Sequence, residues 1–273
     1  MLNKIIGLFS PRFPNSIEIE DKKLINEVIK KNRAILARVP QWLNDEIKNG
    51  SYFNYGVPDE IFPLLSLDIG NEVTYTDLIV YFSKKIKKIN YLELGVSVGK
   101  NFFQVASQFE NASLTGFDIE NINPILQKEF HLDTFRSWET MPGSIRKEKS
   151  TYTTYQYKGN QLNYLAGDIW DERSWAELKG NKFNMIFSDA LHDPKALLWE
   201  YKMIQKYELL ASEFIFFWDD LNHGLEQSFF QIAKGLKSKY NLKSSNIRLI
   251  KINGWLGKNY PIKHDVGIVS NLF

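Results

Sequence analysis

Apolar and polar positions along most of this chain form blocks that predict strands followed by helices. Short apolar runs bounded by turn residues indicate buried strands, and apolar residues three or four positions apart indicate amphipathic helices. The predicted strands are 91–94, 113–118, 162–166, 183–188 and 213–218, and the predicted helices are 100–109, 124–137, 193–208 and 224–240. Strands that alternate with helices are typical of a doubly wound parallel sheet.

The C-terminal part of the chain breaks this alternation. Two strands are predicted at 247–253 and 264–270, with only a loop containing glycine and proline between them. Such a connection implies antiparallel pairing. The predicted fold is therefore α/β, with a doubly wound, mostly parallel, seven-stranded Rossmann-like sheet that ends in an antiparallel C-terminal hairpin.

The chain before the first predicted strand has a different pattern. Apolar residues recur at helical spacing between residues 17 and 49, and prolines and glycines then interrupt the pattern as far as residue 72. We expect residues 1–72 to form an N-terminal helical extension and residues 73–273 to form the main domain. A further helix is expected to begin at Tyr75, with Thr74 as its cap.

One connection within the main domain, residues 120–161, is longer than a single crossover helix requires. Its second half, 141–161, is polar and rich in threonine and tyrosine. Long loops in compact domains often cover binding sites, and disorder is the alternative. We expect this insertion to act as a lid, with disorder left open.

The composition of the chain limits the classes of partner that it is expected to bind. The 273 residues are 44% hydrophobic and 24% charged, and 34 basic against 32 acidic side chains give a net charge of +2. We therefore expect neither nucleic acid nor a membrane as a partner. The absence of cysteine excludes disulfides, thiolate metal sites and a cysteine nucleophile. No apolar run is long enough to span a bilayer, and the N-terminus does not read as a signal peptide, so we expect a cytoplasmic protein.

The first predicted strand runs into a glycine turn, "ELGVSVGK" at 93–100. Glycines allow the backbone to pass close to a ligand, and a helix that begins at Lys100 would direct free N–H groups into the same space. The spacing differs from the dinucleotide pattern G-x-G-x-x-G. Glu93 would repel a pyrophosphate and attract an ammonium group or ribose hydroxyls. On its own, the pattern also fits a purely structural turn.

Acidic residues follow the next two predicted strands. Asp118 lies about 20 residues beyond the glycine turn, where an acid can receive ribose hydroxyls. Asp168 follows the third strand and is suited to an adenine amino group. Either residue alone would ordinarily be a cap or a surface residue. Because the carboxyl ends of parallel strands meet at one crevice, the set predicts a nucleoside site.

The fourth and fifth predicted strands also end in polar residues. Ser188 and Asp189 end the fourth strand, with His192 three positions later, and Asp219 and Asp220 follow the fifth. Neighbouring acids after buried strands are costly to bring together unless something positive binds them. A hard divalent cation with oxygen ligands, such as magnesium, would do so.

A structural explanation of these acids stays open. Asp220 or Asn222 could cap the helix predicted near residue 224, and Asp219 could meet a lysine.

For the histidines, too, both a functional and a structural role are considered. His192 could act as a base, because histidine titrates near neutrality, or it could only form a hydrogen bond at the start of the next helix. His223 is a weaker candidate for the base. His131 and His264 are expected to be structural.

Over residues 74 to 270, the glycine turn, the acids at the strand ends and the terminal hairpin resemble the class I S-adenosylmethionine-dependent methyltransferases. In that family the last strand is inserted antiparallel beside the preceding one. The acids after the fourth and fifth strands are similar to those of the metal-dependent O-methyltransferases of the catechol type and their relatives acting on sugars and antibiotics.

The resemblance implies roles for individual residues. The cofactor S-adenosylmethionine would be bound through Glu93, Gly95, Ser97 and Gly99 at its methionine portion, Asp118 at the ribose and Asp168 at the adenine, with Ser188 in the same site. Asp189, Asp219 and Asp220 would hold Mg²⁺ or another divalent cation. The catechol group has a base lysine where this chain has His192, so His192 and Asp189 would be the catalytic residues.

We therefore expect a methyltransferase that methylates a hydroxyl group on a small metabolite or sugar with the help of a metal ion. The partner would be a small-molecule or glycan substrate, and a homo-oligomer is compatible with the sequence. Two alternatives stay open: an NAD-binding oxidoreductase, which the glycine spacing disfavours, and a non-catalytic protein that binds S-adenosylmethionine.

Overall fold

The structure is a computed structural model that describes residues 14–38, 69–221, 224–254 and 263–272. Its strands are β1 (Asn90–Leu94), β2 (Ser113–Asp118), β3 (His131–Trp138), β4 (Ser150–Tyr157), β5 (Asn160–Ala166), β6 (Phe183–Ser188), β7 (Leu210–Trp218), β8 (Ile247–Ile252) and β9 (His264–Ser270). Its α-helices are α1 (Lys22–Leu36), α2 (Tyr75–Ser83), α3 (Lys100–Gln108), α4 (Pro124–Glu129), α5 (Glu172–Ala176), α6 (Pro194–Lys206) and α7 (Leu225–Tyr240).

All nine strands form one sheet in the order β3-β4-β5-β2-β1-β6-β7-β9-β8. The five central strands, from β5 to β7, pair in parallel. Only β4 and β9 run in the opposite direction, because each pairs antiparallel with both of its neighbours. The mostly parallel sheet and the C-terminal hairpin are therefore confirmed, with β9 inserted between β7 and β8. The predicted number of seven strands is wrong.

The two additional strands, β3 and β4, arise from the 120–161 insertion. The helix predicted over 124–137 ends after the short α4, and β3 follows it and pairs with β4. Leu132 and Phe135 fit helical spacing, but the chain is extended there. The segment "STYTTYQY" forms β4, in agreement with the strand preference of threonine and tyrosine. Disorder is thus wrong for β4. The role of the 120–161 insertion as a lid stays a prediction, and residues 139–149 of the insertion connect β3 to β4.

Helices cover both faces of the sheet. One apolar core joins α1 to α4 with the sheet and includes Ile79 and Phe103, which are completely buried. The second core joins α5, α6 and α7 with the opposite face and includes Trp175 and Phe229, also completely buried. Burying a large apolar side chain contributes about 1.5–3 kcal/mol, so both faces hold the sheet in place. The sheet is doubly wound, as predicted.

The starts of two helices follow from their sequences. Thr74 and Asp77 form a capping box at α2, in which each side chain receives a hydrogen bond from the other residue's backbone N–H. Asp193 caps α6 by accepting from the N–H of Lys195 and Ala196, and Pro194 occupies the first helical position. These contacts define where α6 begins, five residues after Asp189, which follows β6.

The helix α1 lies within the predicted N-terminal extension and packs on the main domain. Its Ile25 and Val28 belong to the first core. Arg33 donates to the fully buried Asp77 of α2 at 2.9 Å, and Asn32 donates to the same carboxylate at 2.7 Å. The division at residue 72 stays a prediction, because residues 1–13 and 39–68 lie outside the described part of the chain.

Within the described residues, no helix is both long enough and apolar enough to cross a membrane.

Candidate functional site

The parallel strands end at one edge of the sheet. Leu94 of β1 lies opposite Phe117 of β2 on one side and Ser188 of β6 on the other. Ser188 in turn lies opposite Trp218, the last residue of β7. This register gathers the residues that follow the strands at one edge, including the predicted Asp118, Asp168, Asp189, Asp219 and Asp220.

Two positions in the turn after β1 must be glycine, because neighbouring protein atoms leave no space for a Cβ. Gly95 has φ +79°, and a Cβ there would lie 2.2 Å from the backbone oxygen of Asp189 and 2.5 Å from Cα of Ala190. Gly99 has φ +85°, and a Cβ there would lie 2.0 Å from a methyl group of Leu126. The sequence predicted close approach of a ligand at this turn. The structure adds that the backbone of the β6–α6 turn itself packs on Gly95.

Asp118 fixes the glycine turn to the end of β2. Its Oδ2 accepts from the N–H groups of Val96 at 2.7 Å and Ser97 at 2.8 Å, and its Oδ1 accepts from the N–H of Glu120 at 2.9 Å. Burial raises the pKa of Asp118, and these hydrogen bonds oppose the rise. The backbone N–H of Ile119 is a further hydrogen-bond donor, so four donors already account for the roughly four acceptor positions of an ionised carboxylate.

Glu93 lies buried beneath the same turn. Its Oε2 accepts from the Tyr91 hydroxyl at 2.7 Å and from Asn101 at 2.9 Å. Burial raises the pKa of Glu93 to about 8, although both hydrogen bonds act to lower it. At neutral pH this carboxyl would therefore be mostly protonated unless a positive charge lies nearby. An ammonium group would supply such a charge.

A cavity of about 450 Å³ lies at the ends of β2 and β5. Gly95, Asp118 and Asp168 line it, together with Trp170 and part of the 139–149 segment. Three of the predicted cofactor residues are therefore brought together. The other four, Glu93, Ser97, Gly99 and Ser188, do not line this cavity. A second cavity of about 560 Å³ at the opposite edge of the sheet contains none of the predicted residues.

Hydrogen bonds hold the 139–149 segment against the cavity. Arg146 is buried and donates to Oδ1 of Asn121, in the chain that follows β2, at 2.8 Å. The Ser144 hydroxyl donates to Oδ2 of Asp168 at 2.5 Å, and the N–H of Trp170 donates to its Oδ1 at 2.9 Å. Asp168 is thus already oriented at the cavity wall, and Ser144 is a neighbour that the sequence did not indicate.

Ser188 is directed toward α6. Its hydroxyl donates to Glu200 at 2.6 Å, and both residues are buried. Burial raises the pKa of Glu200 to about 8. Ser188 therefore supports the β6–α6 connection, and its predicted cofactor contact would require it to leave this bond.

His192 lies between two acids. Its Nε2 is 3.1 Å from Oδ1 of Asp189, and its Nδ1 is 3.7 Å from Oδ2 of Asp220. Burial, with the nearby Asp219, raises the pKa of Asp189 to about 7. The hydrogen bond that His192 donates to Asp189 raises the pKa of His192 to about 9. His192 thus holds a proton at neutral pH, and it could act as a base only where another positive charge lowers that pKa.

His264 is the site residue that the sequence analysis missed. Its Nδ1 lies 2.8 Å from Oδ2 of Asp219 and 3.0 Å from Oδ1 of Asp220. Burial alone would lower the pKa of His264, but the two carboxylates raise it to about 11. The predicted set of three metal ligands therefore divides into two groups that share Asp220. Asp189 and His192 form one group with it, and Asp219 and His264 form the other.

The structural alternative for the acids after β7 finds no support in the described residues. Gly224 occupies the N-cap position of α7, and none of the side chains that the structure describes caps that helix. The side chain of Asp219 forms an ion pair with His264 and not with a lysine. The predicted candidates Asn222 and His223 lie outside the described residues.

The acids fit a divalent cation. Oδ1 of Asp219 is buried and has no hydrogen-bond partner among the described residues. Asp220 has φ +49°, a conformation that costs a non-glycine residue about 1–2 kcal/mol. A buried carboxylate oxygen without a partner, beside two further acids, is the donor set that hard cations prefer.

No protein-family model matches the chain, and no curated protein matches it. Solved structures do match. A putative O-methyltransferase from Klebsiella pneumoniae is 12% identical with a TM-score of 0.46, over 98% of this chain and 95% of that chain. The O-methyltransferase from Bacillus cereus, in complex with SAH, is 12% identical with a TM-score of 0.46, over 93% and 94%. TomG from Streptomyces achromogenes, an O-methyltransferase in complex with SAM, is 10% identical with a TM-score of 0.41, over 93% and 92%.

At these identities and scores the likeness says nothing of substrate or chemistry, which have to be read from the residues of this chain. The fold rests on the chain's own topology. Five parallel strands, a glycine turn after β1 and a final strand inserted antiparallel beside β7 agree with the sheet topology that the sequence predicted.

Proposed function

We propose that this protein is an S-adenosylmethionine-dependent methyltransferase that methylates a hydroxyl group of a small metabolite or sugar at a metal-assisted site. The observation that carries the proposal is the arrangement at one sheet edge. A nucleoside-sized cavity lined by Gly95, Asp118 and Asp168 adjoins the cluster of acids that follows β6 and β7. The turn at Ala190 and Leu191 lines the cavity and immediately follows Asp189.

The cavity would take the adenosine part of the cofactor. Asp168 would accept a hydrogen bond from the adenine amino group, and Asp118 would accept one from a ribose hydroxyl at an oxygen that it shares with backbone N–H groups. Glu93 would stay ionised beside the cofactor's ammonium group, because a nearby positive charge lowers its raised pKa.

When bound, S-adenosylmethionine supplies an electrophilic methyl group, and a divalent ion supplies the positive charge that lowers the pKa of a hydroxyl group. Asp189, Asp219 and Asp220 would hold that ion. The same charge would lower the pKa of His192, which could then accept the proton of the substrate hydroxyl. Most of the acceleration would come from alignment of the hydroxyl oxygen with the methyl group.

A thermal-shift panel tests the cofactor assignment. A ligand present at about 100 times its dissociation constant stabilises the folded state by about 2.7 kcal/mol. We expect S-adenosylmethionine and its demethylated product to raise the midpoint by roughly 5 to 10 °C. A shift with NAD alone would overturn the proposal in favour of an oxidoreductase.

Turnover separates an enzyme from a protein that only binds the cofactor. Transfer of a labelled methyl group to a panel of hydroxylated metabolites and sugars should require a divalent cation and should be lost in Asp189→Asn. Cofactor binding should survive that substitution. Cofactor binding without transfer to any acceptor would support the non-catalytic alternative.

A further inference from the structure

His264 forms a buried contact with both acids that follow β7. Its Nδ1 is 2.8 Å from Oδ2 of Asp219 and 3.0 Å from Oδ1 of Asp220. An ionised carboxylate can only accept hydrogen bonds, so Nδ1 carries the proton and donates. Relative exposure is 7% for His264 and 3% for Asp219. Water therefore does not compete for the contact between His264 and Asp219.

Three elements fix the position of the imidazole ring. His264 is the first residue of β9 and pairs with Ile252 at the end of β8. The ring of Tyr75, at the start of α2, meets it edge-on with centroids 5.8 Å apart. Gly254 leaves the space that the ring occupies, because a Cβ there would lie 2.0 Å from Nε2. A side chain held from three sides has one orientation.

This orientation determines which oxygen of Asp219 is available. Oδ2 is occupied by His264, and Oδ1 is buried without a partner among the described residues. A buried polar atom without a partner is unfavourable, and a cation bound beside Oδ1 would supply that partner. Ligating carboxylates are typically hydrogen-bonded through the oxygen that does not bind the metal.

We propose that His264 is the positioning residue of the cation site: by donating to Asp219 and Asp220 it presents Oδ1 of Asp219 to a divalent ion. This inference rests on the metal-assisted part of the proposed function. It assigns His264 a role through Asp219 and does not make it a ligand. It also gives Gly254 a function, because the small residue admits the imidazole ring.

The test measures Mn²⁺ affinity by electron paramagnetic resonance, independently of turnover. His264→Leu keeps an apolar side chain in the space but removes the donor, and we expect a 10- to 100-fold loss of affinity. His264→Asn retains an N–H donor near the position of Nδ1 and should restore affinity to within a few-fold of the wild type. Gly254→Ala, which displaces the ring, should weaken Mn²⁺ binding as His264→Leu does. His131→Leu on the exposed β3 is the control and should bind Mn²⁺ normally.

The possible results distinguish the role of His264 from the proposed metal site and from the proposed cofactor. If His264→Leu folds and binds Mn²⁺ as the wild type does, the positioning role is wrong while the metal site stands. A nitrogen coupling in the Mn²⁺ spectrum that disappears in His264→Leu would overturn the role in favour of direct ligation. If His264→Leu does not fold, His264→Asn and Gly254→Ala decide. A wild type that binds the demethylated cofactor but no Mn²⁺ would overturn both the metal site and the role of His264, and would leave the cofactor assignment intact.

Discussion

Replacing Gly95 by alanine should show how tightly the glycine turn packs on the turn after β6. Gly95 has φ +79°, so alanine would pay the left-handed penalty of about 1–2 kcal/mol. Its Cβ would also lie 2.2 Å from the backbone oxygen of Asp189 and 2.5 Å from Cα of Ala190. Backbone atoms cannot rotate away as a side chain can, so overpacking should add about 1–3 kcal/mol.

The two contributions can be separated with a matched control. Gly180 has φ +91°, and a Cβ there would meet no atom within 4 Å. Gly180→Ala should therefore show only the backbone penalty. The smaller entropy of the unfolded alanine chain affects both variants and cancels in their difference. We expect Gly95→Ala to be less stable than Gly180→Ala by about 1–3 kcal/mol, from the overpacking alone.

Urea unfolding of the two variants measures this difference, provided that the slope m is unchanged. Gly95→Ala should also displace the turn at Asp189 and Ala190. This should weaken binding of the demethylated cofactor, because Ala190 lines the cavity, and of Mn²⁺, which Asp189 would hold. Gly180→Ala should leave both affinities unchanged. Equal stability of the two variants would refute the packing of Gly95 against the β6–α6 turn, and normal ligand binding by Gly95→Ala would refute its link to the site.

Two further predictions concern buried charges. Burial raises the pKa of Glu200 from 4.5 to about 8, so the folded protein keeps a proton that the unfolded chain releases. The contribution of Glu200 to the free energy of unfolding therefore falls between pH 4.5 and 8, by up to about 1.4 kcal/mol per pH unit. Glu200→Gln should gain stability relative to the wild type from pH 5 to pH 8 in urea unfolding, and a constant difference would contradict this. Arg33→Met should cost about 3 kcal/mol, because Asp77 is left buried without its charged partner, whereas Lys30→Met on the exposed face of α1 should unfold as the wild type does.

The central strands and their polar ends could be predicted because several local signals agree. The apolar run 183–188 is followed by Asp193 and Pro194, which specify where the next helix begins. The structure places β6 at Phe183–Ser188 and α6 from Pro194. A parallel sheet then puts such strand ends together without further information. This explains why the sequence could predict that Asp118, Asp168 and Asp189 lie at the same end of the sheet.

The outermost strand β3 was predicted as a helix because its sequence pattern is ambiguous. Leu132 and Phe135 are three positions apart, which suits a helix, yet both lie on an exposed edge strand with a bulge between Leu132 and Thr134. The bulge shifts the alternation by one residue, so strand periodicity is lost exactly where it would have been diagnostic. Pairing with β4 determines the conformation, and that pairing is not a local property of the sequence.

The role of His264 was hidden for a different reason. Asp219 and His264 are 45 residues apart, and they meet because Trp218 pairs with Gly267 in the antiparallel β7–β9 ladder. Continuing that register by three positions on each strand brings residue 221 opposite residue 264, next to both acids. Predicting the strands does not fix this register. A slip of two residues would keep the same side chains on the buried face, yet it would move His264 by about 7 Å along β7. Such a displacement is far greater than the length of a hydrogen bond, so only the three-dimensional pairing could reveal the contact.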